Sequence, residues 1–241
     1  MAIISEFLDY KADGQTCKGY LAYPEGKTPA PCVLVVHEWW GQTDYPRKRA
    51  DMLAEQGYAA FAVDMYGEGH VGTTPQEAGD LMNALMGHPH EMKRRFLSAY
   101  NFISGNPHVK HDQIAAIGYC MGGKIVLDMA RAGLDLVGVC SYHGILQTAT
   151  PAQVGNVKAK VRVFHGNDDV MATLEHVAAF ETEMDNAGVD YKVVGYDNTT
   201  HGFTNPAADD KAAEYGMPLG YSEHADKDSW NRTLEFLKEI F

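Results

Sequence analysis

Positive charge is what this chain has least of. Only 20 of its 241 residues are Lys or Arg, against 32 Asp or Glu, and a net charge of -12 repels phosphate backbones and anionic membrane surfaces. Nucleic acid is therefore excluded as a first-choice partner. Apolar runs long enough to span a bilayer are missing, and MAIISEFLDYKADG carries no basic stretch ahead of an apolar segment, so the expectation is a soluble, cytoplasmic protein with no membrane partner. Repeats, low-complexity tracts and blocks of like charge are lacking as well, which leaves neither a solenoid nor a long disordered tail. Cysteine is scarce: the four thiols, at positions 17, 32, 120 and 140, form no CxxC pair and no zinc-ligand spacing. His88-Pro-His90 is not a metal-hydrolase motif, so a zinc hydrolase is set aside and neither a metal nor a cofactor is expected.

What is present is an ordinary globular composition, 45% hydrophobic, with short apolar runs alternating with helical spacing. Two short strands near Phe7 to Tyr10 and Lys18 to Tyr23 come first, then PCVLVV, a run suited to a strand buried on both faces. Strands are also expected in YAAFAVDMYG, QIAAIGY, LVGVCSYHG, KVRVFHG and YKVVGYD. Helices are expected over Tyr45 to Gln56, Pro75 to Met86, His90 to Ser104, KIVLDMARAG, LEHVAAFETEMDNAG and DSWNRTLEFLKEIF. Strands that alternate with helices imply a mostly parallel central sheet flanked by helices on both faces, with chemistry at the carboxyl ends of the strands. A single domain over 1–241 is expected, with residues 67–90 open between a small cap and a surface excursion.

One turn stands apart. In Gly118-Tyr-Cys120-Met-Gly122 an apolar strand gives way to a helix through glycines two residues either side of a thiol, the spacing of a nucleophile elbow. Such a turn stands the central side chain at the strand end, and the amino terminus of the following helix favours thiolate over thiol. The other three Cys sit in or beside apolar runs and read as small buried hydrophobes.

A nucleophile needs a base, and the base an orienting group. Downstream lie an acid in VRVFHGNDDV and a histidine in VVGYDNTTHGF, and the order nucleophile, acid, histidine is that of an α/β-hydrolase. His201 is the expected base. Either Asp168 or Asp169 could orient it, and Asp169, three residues past Gly166, is preferred. In this fold the loop after VLVVHEWWG supplies one oxyanion-hole N–H, here Trp39, and the residue after the nucleophile, Met121, the other, while Glu38 would point into the site. Tyr119, Tyr142, His143, Phe203 and Trp40 are candidates for an aromatic pocket lining, with core packing as the rival role for each.

These motifs, HEWWG, VDMYG, GYCMGG, SYHG, HGNDD and HGF, make the whole chain resemble the dienelactone hydrolase family of α/β-hydrolases. The resemblance implies a Cys120, Asp169, His201 triad that hydrolyses a small lactone or ester (carboxymethylenebutenolidase-type chemistry) through a thioester, with Glu38 accepting the thiol proton when substrate displaces it. It also implies arginines that bind an anionic lactone. Here the run after the histidine is His201-Gly-Phe-Thr-Asn205, and no Lys or Arg lies between Asp64 and Met92, so dienelactone itself is a poor match to this chain. A carboxylesterase or thioesterase using the same triad is the alternative, and a redox-responsive protein with no catalysis is a further one. The oligomeric state is left open.

Overall fold

The computed structural model describes residues 1–241, and the chain divides into two compact units, Met1–Ile117 and Gly118–Phe241.

The first unit opens with β1 (Ile3–Ala12) and β2 (Gln15–Pro24), an antiparallel hairpin closed by Asp13-Gly14, the dipeptide that two-residue hairpin turns favour. Both strands are longer than their apolar centres suggest, because pairing carries the hairpin outward past the buried stretch. β3 (Ala30–Val36) and β4 (Ala59–Val63) pair in parallel from Cys32 opposite Ala59 to Val36 opposite Val63, and β2 joins β4 antiparallel at Tyr20 opposite Ala62. Both parallel strands are apolar and almost wholly buried, as strands covered on two faces must be. α1 (Asp44–Glu55) is capped by the Thr43 hydroxyl, and α2 (Pro75–Met86) starts with Pro at its first position behind a Thr74 cap. The 67–90 segment is thus a loop followed by this largely exposed helix, which packs on α3 (Pro89–Ser104). His88 and His90, at the start of α3, are both exposed.

β5 (Val109–Tyr119) runs to the end of the first unit and into the second. In the second unit α4 (Met121–Arg131) follows at once, then the strands β6 (Gly138–Tyr142), β7 (Lys160–Gly166) and β8 (Tyr191–Tyr196), paired in parallel in that order. α5 (Leu174–Ala187) lies between β7 and β8 and ends on the left-handed Gly188. The Arg131 guanidinium, buried at the end of α4, binds both carboxylate oxygens of Glu183 on α5 at 2.8 Å and the Leu146 carbonyl at 2.8 Å, fixing α4 against its neighbours. α6 (Ala208–Tyr215) and α7 (Glu223–Ile240) complete the chain.

α6 has no counterpart in the sequence reading. It is two turns long, begins just after Pro206 and buries only Ala208, so it offers no amphipathic stripe to detect. α7 starts five residues earlier than the apolar spacing of DSWNRTLEFLKEIF indicates, because the Ser222 hydroxyl caps the Ala225 N–H and adds a polar first turn.

Candidate active site

Cys120 occupies the junction between β5 and α4 with φ 54° and ψ -115°, a conformation that L residues adopt only where the surroundings impose it. Its N–H donates to the Tyr142 carbonyl at 3.0 Å, and its carbonyl accepts from the Lys124 N–H at 3.2 Å, so the strained residue is tied on both sides. Gly118 permits this. A Cβ there would sit 2.1 Å from the Gly122 carbonyl oxygen, and the turn could not fold back on itself. Gly118→Ala is therefore expected to destabilise the protein by about 1–3 kcal/mol through overpacking, read as a lower chemical-denaturation midpoint with an unchanged slope.

Of the four thiols, Cys120 alone is partly open. Burial pushes the thiols of Cys17, Cys32 and Cys140 up, so they stay protonated and inert near neutral pH.

The acid and the histidine meet through a second close approach. At Gly166, the end of β7, a Cβ would lie 2.4 Å from the Thr199 carbonyl, so glycine lets the loop after β8 settle onto the loop after β7. The Asp168 and Asn167 N–H groups donate to Thr199 and Tyr196 carbonyls and lock the two loops together. Asp168 is exposed, whereas Asp169 is buried and its Oδ2 stands 2.7 Å from His201 Nδ1. Its other oxygen accepts from the N–H groups of Met171 at 2.8 Å and Ala172 at 3.2 Å. Burial alone would raise the Asp169 carboxyl, but the His201 hydrogen bond and charge, with those two N–H donors, hold it below the usual carboxylate range. Asp169 is therefore ionised at neutral pH and fixes the proton of the His201 ring on Nδ1.

His201 is 2% exposed, and its Nε2 has no hydrogen-bond partner. Burial disfavours the imidazolium. The negative charge of a Cys120 thiolate and the Asp169 bond outweigh that penalty and raise the His201 pKa to about 10. Sulfur, imidazole and carboxylate, drawn from three loops of the second unit, are thus coupled in one electrostatic group whose imidazole can exchange a proton at Nε2.

The residues after β3 gather in the first unit. Glu38 is buried, and its carbonyl oxygen lies 2.5 Å from His37 Nδ1. His37 Nε2 accepts the Met65 N–H at 3.2 Å, which puts the ring proton on Nδ1, where it bonds Glu38. Burial lowers the His37 pKa and keeps that ring neutral. The Tyr66 hydroxyl donates to the Trp39 carbonyl at 2.7 Å, and the Trp39 and Trp40 rings are 4.9 Å apart, with Trp40 buried and Trp39 half-buried.

The aromatic residues expected to line a pocket are packed inward. Tyr119 and Tyr142 stack at 4.7 Å, Tyr142 continues onto Phe164, and its hydroxyl reaches Thr233 of α7; neither ring exposes more than 1% of its surface. Phe203, at 0%, packs on Tyr196 and on the edge of His143, which is itself fully buried. As the structure stands these four residues pack the interior and present almost no surface to a ligand. Aromatic residues beside the site motifs are read equally as a pocket wall or as the core layer beneath it, and here burial decides for the core. One residue was not singled out from the sequence. His165, the penultimate residue of β7, is buried with a partnerless Nε2, and burial lowers its pKa, so it adds no charge beside Asp169 and His201. The HG preceding NDD was its only signal. No group of three or more His, Cys, Asp or Glu is arranged to hold a metal ion, and no helix is long and apolar enough to cross a membrane.

Comparison with known proteins agrees with this geometry at the level of family. A model of the dienelactone hydrolase family matches residues 17–241. The crystal structure of a dienelactone hydrolase-like promiscuous phosphotriesterase from metagenomic libraries superposes with a TM-score of 0.92 at 31% identity, covering 100% of both chains. Protein usf of Aquifex pyrophilus is 27% identical over 242 residues, 98% of this chain and 99% of the other. The structure of a dienelactone hydrolase from Anabaena variabilis, with a TM-score of 0.65 at 21% identity over 90% of this chain and 96% of its own, shares the fold. The expected α/β-hydrolase fold is the observed one, and the chain belongs to the dienelactone hydrolase family.

Proposed function

We propose that the protein is a thiol hydrolase of small, neutral esters or lactones, working through a thioester on Cys120. The observation that carries this reading is the coupling of Cys120 to an imidazole whose far nitrogen is held by a buried, ionised carboxylate. Cys120 sulfur attacks the substrate carbonyl as its proton passes to Glu38, the alkoxide or ring oxygen leaves with the proton that the thiol gave up, and an acyl-thioester remains. Water then attacks that thioester while His201 Nε2 takes one of its protons. The sulfur leaves, recovers the proton, and the carboxylic acid is released. Asp169 holds the ring in the Nδ1–H tautomer throughout and stabilises the imidazolium formed at each transfer. Backbone N–H groups of Met121 and Trp39 are the proposed oxyanion donors.

Neutral substrates are favoured by where the cations are. Lys124, one turn past Cys120, is bound to Asp128 at 2.9 Å and to the Gln147 carbonyl at 2.7 Å. Arg95, just beyond the Arg-free 65–91 stretch, is held by the carbonyls of Met65 and Tyr66 and by Gln15 and Glu91. Each is already committed to these acceptors, so turning to a substrate carboxylate would cost it existing bonds. The test is a rate comparison across neutral esters, thioesters, neutral lactones and anionic lactones, with a phosphotriester added because the metagenomic relative is named for that activity. Rapid quenching and intact-mass measurement accompany it. Preference for neutral acyl substrates, with an acyl adduct on Cys120, supports the reading; turnover without any adduct on that residue refutes the thioester.

Glu38 is proposed to receive the thiol proton during acylation, the role that the family resemblance implies for it. Glu38→Gln is then expected to slow single-turnover acylation by about 10²-fold, a usual worth for a positioned proton acceptor, while deacylation changes far less. Equal loss in both steps would remove that role.

A further inference from the structure

We infer that His143 is a positioning residue for the catalytic histidine, holding the loop that carries His201 through a hydrogen bond to Thr204. The inference rests on the thiol-hydrolase reading above and extends it to a residue that touches none of the reacting atoms.

Four observations meet at this side chain. His143 is the first residue after β6, and its N–H donates to the Phe164 carbonyl on β7 at 2.9 Å, which fixes its main chain to the neighbouring strand. Its φ is 38°, left-handed for a residue with a branched ring, so its side chain leaves the strand end in a direction that ordinary extended backbone would not give. Its Nε2 lies 2.8 Å from the Thr204 hydroxyl, and both residues are completely buried. Its ring meets His201 edge to face at 5.1 Å and Phe203 at 5.2 Å.

His201 needs such a support. Asp169 holds Nδ1, and the ring's coupling to Cys120 is lost once the sulfur is acylated, so in the thioester Asp169 alone bonds the imidazole. Thr204 lies three residues beyond His201, past the left-handed Gly202, on a loop where Asn198 also has positive φ. Main-chain bonds from the Gly220 N–H to the His201 carbonyl and from the Ser222 N–H to the Phe203 carbonyl, both 3.1 Å, tie the loop backbone, and the bond between His143 and Thr204 adds a side-chain tie to it. The His143 ring supplies two constraints: a bond to the far side of the loop and an edge contact to the imidazole itself. Together they set where Nε2 points. Deacylation, in which Nε2 must take a proton from a water that the protein has to place, depends on that direction more than acylation does.

The experiment compares His143→Leu, Thr204→Val, the double variant and His143→Gln on a neutral activated ester, with Cys120→Ala as the control. His143→Leu and Thr204→Val are each expected to lower kcat by about 10–100-fold, the scale of an imidazole misplaced by an ångström or less. KM should fall with kcat, and the thioester should accumulate in quenched samples, because acylation is spared. The double variant should be no worse than either single one, since both remove the same bond. His143→Gln, whose amide nitrogen can reach the place of Nε2, should recover most of the loss. A merely structural role would lower the melting temperature without this split between acylation and deacylation. Should His143→Leu fail to fold, Thr204→Val, which adds no bulk, measures the same bond. Independent, multiplying losses in the two single variants overturn the inference, as does wild-type deacylation in a folded Thr204→Val. Turnover retained in Cys120→Ala overturns the thiol reading and with it this inference; an inactive Cys120→Ala beside a fully active Thr204→Val overturns the inference alone.

Discussion

Cys120→Ala is expected to reduce ester turnover by about 10³-fold or more, the usual consequence of deleting a covalent nucleophile, with little change in folding. Both halves of the expectation come from the local geometry. The sulfur is partly exposed and contributes little packing, so its loss leaves no cavity of consequence. The strain at this position resides in a backbone with φ 54°, which alanine tolerates no worse than cysteine, and the bonds that hold it, to the Tyr142 carbonyl and from the Lys124 N–H, are main-chain bonds that the substitution does not touch. The variant should therefore melt within a few degrees of the wild type. His201 supplies a second readout. Its raised pKa depends first on the Cys120 charge, so without the sulfur the imidazole should titrate lower, which histidine NMR can follow. A variant that keeps its rate, or whose His201 titration does not move, contradicts the coupling on which the chemistry rests.

The parts of this site that were legible in the sequence are those written locally. Gly118 is needed by a turn that brings it against the Gly122 carbonyl within five residues, and the chain announces such a turn wherever it folds. The loops that carry Asp169 and His201 were legible after apolar runs, because strand ends have to be followed by turn residues. Which aspartate pairs with His201 is decided by burial: Asp168 and Asp169 are chemically identical neighbours, and only the approach of Thr199 to Gly166 turns one inward and the other to solvent. Tyr142 and Phe203 illustrate the converse limit. An aromatic residue at a strand end or in the loop that follows fits either role, and the difference between a ligand wall and the layer behind it lies in residues such as Thr233, ninety-one positions away from Tyr142. α6 was illegible for a different reason, since a helix with one buried residue has no periodicity to read. The division at Gly118 was equally silent, because β5 runs through it without a break in hydrophobicity.

Asp169→Asn tests the electrostatic core of the site. In the native protein the carboxylate accepts from His201 Nδ1 and from the N–H groups of Met171 and Ala172. Asparagine can keep the two backbone bonds with its oxygen. It must then turn its amide N–H₂ towards the ring, which selects the Nε2–H tautomer and withdraws the base from the reacting face. The expected loss in kcat is of order 10³–10⁴-fold, as for other triads in which the tautomer is reversed, with KM little altered. The stability effect has a definite pH dependence. The Asp169 pKa is depressed in the folded protein, so its contribution is present above the unfolded carboxylate value near 4 and is lost as pH falls through the folded one. The His201 pKa is raised, so its contribution is complete below the unfolded imidazole value near 6.5 and fades as pH rises towards the folded value. Both are present together only between about pH 4.5 and 6.5. The melting-temperature difference between wild type and Asp169→Asn should accordingly be largest in that window, shrink below pH 4 as the carboxylate is protonated, and shrink again in the alkaline range as the imidazolium is lost. A difference that stays flat from pH 4 to 10 would mean that Asp169 holds the loop by its backbone bonds alone, and that the pairing with His201 contributes nothing to the folded state.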